Sequence, residues 1–196
     1  MELQLAVRGR RMVRSYDSQR EVPVGVVTGL LELAVRAPSA GHTQGWQFLV
    51  LASADANERF WSATTSDGPD DPWLARLRKA PVLVLCLADK QAYLDRYAEP
   101  DKGWTDRAES RWPVPYWDVD TGMATMILLL AAHEAGLGAC FFGIEPGRVE
   151  AILREFDLPQ RLRPIGVVSL GYPAPDRRSP SLRRGRRPFA DVVRVL

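Results

Sequence analysis

The densest apolar stretch of the chain lies between two glycines and an acidic run. Met123, Ala124, Met126, Ile127, Leu128, Leu129, Leu130, Ala131 and Ala132 occupy every face of a helix rather than one stripe. A helix that is apolar all round has to be buried all round. Asp120 or Thr121 is placed to cap its start by accepting free backbone N–H groups, and Gly136 and Gly138 suit a left-handed stop. At roughly four to five turns it is shorter than the about 20 residues that cross a bilayer. A small chain has difficulty enclosing such a helix alone, so a symmetric partner is expected to supply the missing cover.

Elsewhere two periods alternate. Leu3, Leu5, Ala6 and Val7 suggest a short helix, and Val24, Val27, Leu30, Leu31, Ala34 and Val35 mark one face of a helix over 24–37 that Pro38 stops. Residues 46–52, 81–88 and 164–171 read as buried strands, and 139–143 as a shorter one. Helices are expected over 55–63, 74–79 and 146–156, the last with proline in its first turn. Residues 190–195 suggest a terminal strand. The polar runs between them are turns at 38–45 and 66–72, a basic arm over 173–196, and a long segment over 89–117. That segment carries Tyr93, Tyr97, Trp104, Trp112, Tyr116 and Trp117 among many charges. Long connections are usually functional lids or disorder, and the aromatic density favours a lid in which Trp112, Tyr116 and Trp117 contact substrate, with interface packing as the alternative. No repeat or linker divides the chain, so one mixed domain over 1–196 is expected.

Composition adds little until the charges are placed. The net charge is only +2, yet Arg8, Arg10, Arg11 and Arg14 crowd one end and Arg177, Arg178, Arg183, Arg184, Arg186 and Arg187 the other. Either the clusters meet around one anion or both are solvated surface. No aromatic residues are interleaved with them as nucleic-acid stacking would require. Cys86 and Cys140 sit in apolar runs without metal spacing or a CxxC pair, so both read as small buried hydrophobes and no metal site is expected. The start of the chain lacks the apolar core of a signal peptide, and no stretch reads as membrane-spanning; a cytoplasmic protein is expected. Gly136 and Gly138 follow a helix and precede a strand, the reverse of a dinucleotide-binding turn. No nucleophile motif accompanies the two histidines: His133 reads as a hydrogen-bonded interface residue, and His42 lies in a turn of small polar residues.

Three separated segments together resemble the FMN-dependent nitroreductase family. Residues 10–17, RRMVRSYD, resemble its RRSxRxF segment; 37–46, APSAGHTQGW, resemble its APSxxNxQPW segment. The third match combines the apolar helix, Gly136-Leu137-Gly138, Leu170-Gly171-Tyr172-Pro173 and the basic residues near 184–188. The resemblance implies an α+β fold with a mostly antiparallel sheet flanked by helices, in an intertwined homodimer with two flavin sites at the interface. It assigns FMN contacts to Arg10, Arg11, Met12, Arg14, Pro38, Ser39, Ala40, His42, Gln44, Gly143, Ile144, Arg184 and Arg186. Arg10, Arg14, Arg184 and Arg186 would hold the phosphate, for which guanidinium forks are suited, and Arg11 would reach the ribityl or ring region. The 38–44 turn would approach the flavin from the other subunit, and Gly143 and Ile144 would offer backbone groups. Met12, His42 and Gly45 stand where the family usually has Ser, Asn and Pro. The implied activity is hydride transfer from NADH or NADPH to an electron-poor acceptor such as a nitroaromatic or quinone. The alternatives are a flavin-fragmenting oxygenase of the dimethylbenzimidazole-forming type and a non-catalytic flavin sensor or store.

Overall fold

The computed structural model describes residues 2–65, 72–176 and 179–196. Its centre is a four-stranded antiparallel sheet of β1 (Trp46–Leu51), β2 (Val82–Asp89), β3 (Gly138–Phe142) and β4 (Leu162–Gly171), ordered β1-β2-β4-β3. Every residue of β2 is buried, which requires cover on both faces of the sheet. Alternation along the strand distributes that cover. Val82, Val84 and Cys86 pack into one cluster with Leu128, Leu129 and Ala132, whereas Leu83, Leu85 and Leu87 pack into another with Phe60, Trp61, Ile152 and Leu153.

The helices that supply those clusters are, in chain order, α1 (Leu3–Gly9), α2 (Val24–Ala34), α3 (Ala54–Thr64), α4 (Pro72–Leu77), α5 (Lys90–Ala98), α6 (Tyr116–Glu134), α7 (Val149–Glu155) and α8 (Phe189–Val192). The 3₁₀ turn Pro146–Arg148 precedes α7, so the expected helix over 146–156 has a tight first turn. α2 stops short of Ala37, because the backbone tightens into bonds from Arg36 to Leu33 and from Ala37 to Ala34 ahead of Pro38. Residues 190–195 do not form a strand; Phe189–Val192 is a single helical turn.

Two differences bear on the site. α6 starts at Tyr116 behind Pro115, so Asp120 and Thr121 lie buried inside the helix instead of capping it. Proline favours helix starts because it has no N–H to satisfy. The segment 89–117 contains α5, opened by Asp89, whose side chain accepts the Ala92 N–H at 3.2 Å. Its rings pack on one another: Trp112 lies within 6 Å, centroid to centroid, of Tyr93, Tyr97, Trp104, Tyr116 and Trp117. Most of the expected 66–72 loop lies outside the described residues.

Burial of α6 is one-sided within a single chain. Ala124, Leu128 and Ala132 are fully buried, but Val119, Met123 and Met126 are 43%, 36% and 39% exposed. The chain's start is tied to the sheet edge. Met12 bridges Ala139 in parallel, the Val13 N–H donates to Ala139 O at 2.9 Å, and the Tyr16 hydroxyl donates to Val13 O at 2.6 Å while lying 2.7 Å from Ser169 Oγ.

Replacing Tyr16 with Phe leaves buried partners unmatched and should lower unfolding free energy by about 1–3 kcal/mol in urea titrations. Burial pushes the Cys86 thiol up to about 12 and raises Cys140, and it also holds the Tyr16 and Tyr93 phenols above their ordinary value. Folded protein at pH 8 should therefore react with a thiol reagent only on unfolding. Because these groups keep protons that the unfolded chain releases, their contribution to stability should be full below about pH 8.5 and fall as pH rises beyond it; denaturant midpoints between pH 7 and 11 check this.

Candidate functional site

The parallel pairing of the 12–13 segment with β3 determines where the first arginines go. Arg10 lines a cavity of about 280 Å³ shared with Gly9, Arg11, Val13, Leu129, His133, Gly138 and Pro173. Nε and Nη1 of Arg10 are buried and have no hydrogen-bond partner among the described residues. A buried guanidinium with unmatched donors is destabilising unless an acceptor reaches it, and an anion is the strongest acceptor available. Arg14 Nη1 donates to Met12 O at 3.1 Å, and the Arg14 N–H donates to the Asp176 carboxylate at 3.1 Å. Met12 does not offer the hydroxyl of the usual Ser; its Sδ lies 3.4 Å from the Phe141 nitrogen, joining the segment to β3. The close approach extends to Gly138, where a Cβ would meet Val13 Cγ1 at 2.7 Å. Arg11 is exposed, and Gly143 and Ile144 follow β3 directly.

The 38–44 turn is built elsewhere. Gly41, His42 and Gln44 have φ of 61°, 55° and 53°. Two non-glycine residues in the left-handed region store strain and need surroundings that impose it. Ser39 Oγ accepts the Gln44 N–H at 2.9 Å, and the Thr43 hydroxyl donates to Ala40 O at 2.6 Å. From outside, Asp120 Oδ2 accepts the Ala40 N–H at 2.8 Å, and Arg96 Nε donates to Gly41 O at 3.0 Å. Rings of α5 fill the remaining space: a Cβ on Gly45 would lie 2.4 Å from Tyr93 Cε2. That contact explains glycine where the family usually has proline. Pro38, His42 and Gln44 are exposed, Ser39 and Ala40 half-buried, and His42 Nε2 lies 3.1 Å from Gln44 Nε2.

Within one chain these two groups are apart. The turn is fastened at Asp120 near the start of α6, and the arginine cavity lies against His133 near its end. Thirteen helical residues separate them, about 20 Å. The exposed Met123 and Met126 lie between, and the exposed Val119 just ahead of Asp120.

The basic arm begins beside Arg14, where the Ala174 N–H donates to Ser15 O at 3.0 Å. Arg184 and Arg186 are exposed, make no hydrogen bond or ion pair among the described residues, and are not among the residues that line the Arg10 cavity. Arg177 and Arg178 lie outside the described residues.

Trp117 is only 4% exposed, Trp112 half-buried and Tyr116 36% exposed. Both indoles line a groove of about 630 Å³ between the starts of α6 and β4, walled by Lys90, Arg161 and Arg163. Each cation already has a carboxylate: Glu109, Asp89 and Asp118 respectively. Sequence reasoning did not place His133 at the arginine cavity, Asp176 on Arg14, or Asp120, Tyr93 and Arg96 beneath the turn. Of these only Asp120, an acid within an apolar run, carried a visible signal. No metal-holding cluster occurs among the described residues, and no helix among them is long and apolar enough to cross a membrane.

Known proteins can be set beside this geometry. A protein of Methanothermobacter thermautotrophicus, whose name joins NADH dehydrogenase and NAD(P)H nitroreductase, is 31% identical over 89% of this chain and 78% of its own. A nitroreductase from Desulfovibrio desulfuricans, solved in complex with FMN, matches with a TM-score of 0.74 at 26% identity, covering 98% of this chain and 95% of that one. A nitroreductase family protein from Streptococcus pneumoniae shares the fold over the full length of both chains, with a TM-score of 0.78 at 17% identity. The family model described as "Nitroreductase family" matches residues 7–172, from the arginine segment to the end of the sheet, and the chain belongs to that family.

Proposed function

We propose that the protein is an FMN-dependent oxidoreductase that moves hydride from NADH or NADPH to an electron-poor acceptor such as a nitroaromatic or quinone. The observation that carries the reading is the half-buried Arg10 guanidinium, whose Nε and Nη1 are buried and unpaired among the described residues, in a cavity at the sheet edge. Those residues fit a phosphate. The FMN held by the Desulfovibrio relative and the activities in the Methanothermobacter relative's name support the choice of ligand and electron donor.

In this reading Arg10 and Arg14 neutralise the phosphate, and Arg184 and Arg186 close over it when the exposed arm folds back. Met12 holds the segment on β3, leaving its backbone to line the site, and Arg11 reaches toward the ribityl chain or ring. Gly143 and Ile144 present backbone groups beside the ring. The bound flavin supplies the hydride chemistry. The protein supplies charge, orientation and an open face on which donor and acceptor take turns, with Trp112, Tyr116 and Trp117 shaping the acceptor side.

A second copy completes the site. Val119, Met123 and Met126 form an exposed apolar stripe on α6, and such stripes are normally covered. Met126 lies midway between Asp120, which fastens the turn, and His133, which lines the arginine cavity. A twofold axis near Met126, with the two helices antiparallel, lays each chain's 38–44 turn over the other chain's cavity. Pro38, Ser39, Ala40, His42 and Gln44 then serve the other subunit's flavin. Two unpaired cysteines suit the reducing cytoplasm.

Purified protein given FMN should bind it and bleach on anaerobic addition of NADH or NADPH, then recover its colour with a quinone. Bound flavin that neither nicotinamide bleaches would point instead to a sensor or store, and loss of the flavin spectrum in air to a fragmenting enzyme. Arg10→Gln should raise the FMN Kd about tenfold or more, the ratio for a lost charge-assisted hydrogen bond, as read by quenching of flavin fluorescence. Met123→Asp combined with Met126→Asp should give monomers in sedimentation velocity and lose FMN in the same step; monomers that keep full affinity would contradict the shared site.

A further inference from the structure

Asp120 is the one acid on the buried side of α6, at 1% exposure, and it has no cation in ion-pair range among the described residues. Its recorded partners are two neutral donors on one oxygen. The Ala40 N–H lies 2.8 Å and the Tyr93 hydroxyl 2.7 Å from Oδ2. For the helix alone this is a poor residue. Alanine has the better helix propensity, and a buried carboxylate without a counter-charge is destabilising. What it secures lies outside the helix. Ala40 opens the turn in which Gly41, His42 and Gln44 are left-handed, and Tyr93 is the ring on which Gly45 closes that turn. One carboxylate oxygen thus ties both ends of a strained turn to the central helix, and Arg96 adds a third tie at Gly41 O.

We infer that Asp120 is a positioning residue: through Ala40 and Tyr93 it holds the 38–44 turn in the conformation that meets the flavin of the other subunit. The inference rests on the flavin reading above for its ligand, but not for the clamp itself. It also gives the aromatic segment a definite task, since Tyr93, Arg96 and Tyr97 of α5 form the seat of the turn.

The test is amide hydrogen exchange on purified protein without added flavin, followed by FMN titration. Asp120→Ala should speed exchange across 38–45 about tenfold and raise the FMN Kd about tenfold, while peptides from β2 keep wild-type exchange. Asp120→Ser withdraws the oxygen from both donors and should do the same where the alanine variant fails to fold. Asp120→Asn keeps an oxygen able to accept both donors and should restore most of both properties. Unchanged exchange at 38–45 with unchanged FMN affinity would overturn the inference, as would faster exchange spread equally over β2 and the turn. If wild-type protein binds no FMN, the flavin reading fails; turn-confined exchange in the alanine variant would still uphold the clamp.

Discussion

A guanidinium packed against a sheet edge with unmatched nitrogens is tolerable only if something else completes it. Water does so for exposed arginines; at Arg10 two nitrogens are buried against a cavity, so whatever fills that cavity has to complete them. The chain commits several elements to this arrangement. The 12–13 segment pairs with β3, Tyr16 anchors that segment to β4 through Ser169, and Gly138 lets the segment approach closely. The Arg10 guanidinium thereby gains a rigid support at the sheet edge, which suits precise placement of the phosphate in the proposed site.

α6 sets the scale of the rest. Its buried face joins the sheet, its start holds the strained turn, its end backs the arginine cavity, and its remaining face is apolar and uncovered. The strained turn and the arginine cavity lie about 20 Å apart along one helix, with exposed Met123 and Met126 between them, and in the proposed dimer a twofold rotation pairs each with the other. In this account the same contact stabilises the dimer and assembles the active site.

Much of this could be read from the residues. Continuous apolar runs marked β1, β2 and β4 because strands buried on both faces need apolar side chains on both. The apolar uniformity of α6 agrees with the exposed Val119, Met123 and Met126 that one chain leaves uncovered. The segment 89–117 was harder. α5 is polar over most of its length and is held by ion pairs such as Arg96 with Asp101 and Arg107 with Asp95, so it carries no strong hydrophobic stripe. Asp120 looked like a cap because acids commonly begin helices; Pro115 had already begun this one, leaving the carboxylate free to fasten another segment. Of the nominated residues Arg14 bonds Met12, and Met12 bridges Ala139 just ahead of Gly143 and Ile144, whereas the left-handed turn at His42 and Gln44 arises from tertiary restraint that no local pattern encodes. The exposed arm shows the same limit: its arginines mark a charge but not the place where it is delivered.

The most direct measurement is a crystal structure of the protein grown with FMN. The account predicts a twofold dimer in which the phosphate lies within hydrogen-bond distance of Arg10 and the 38–44 turn of the second chain borders the same flavin. A flavin enclosed by one chain alone, or a phosphate bound away from Arg10, would contradict it.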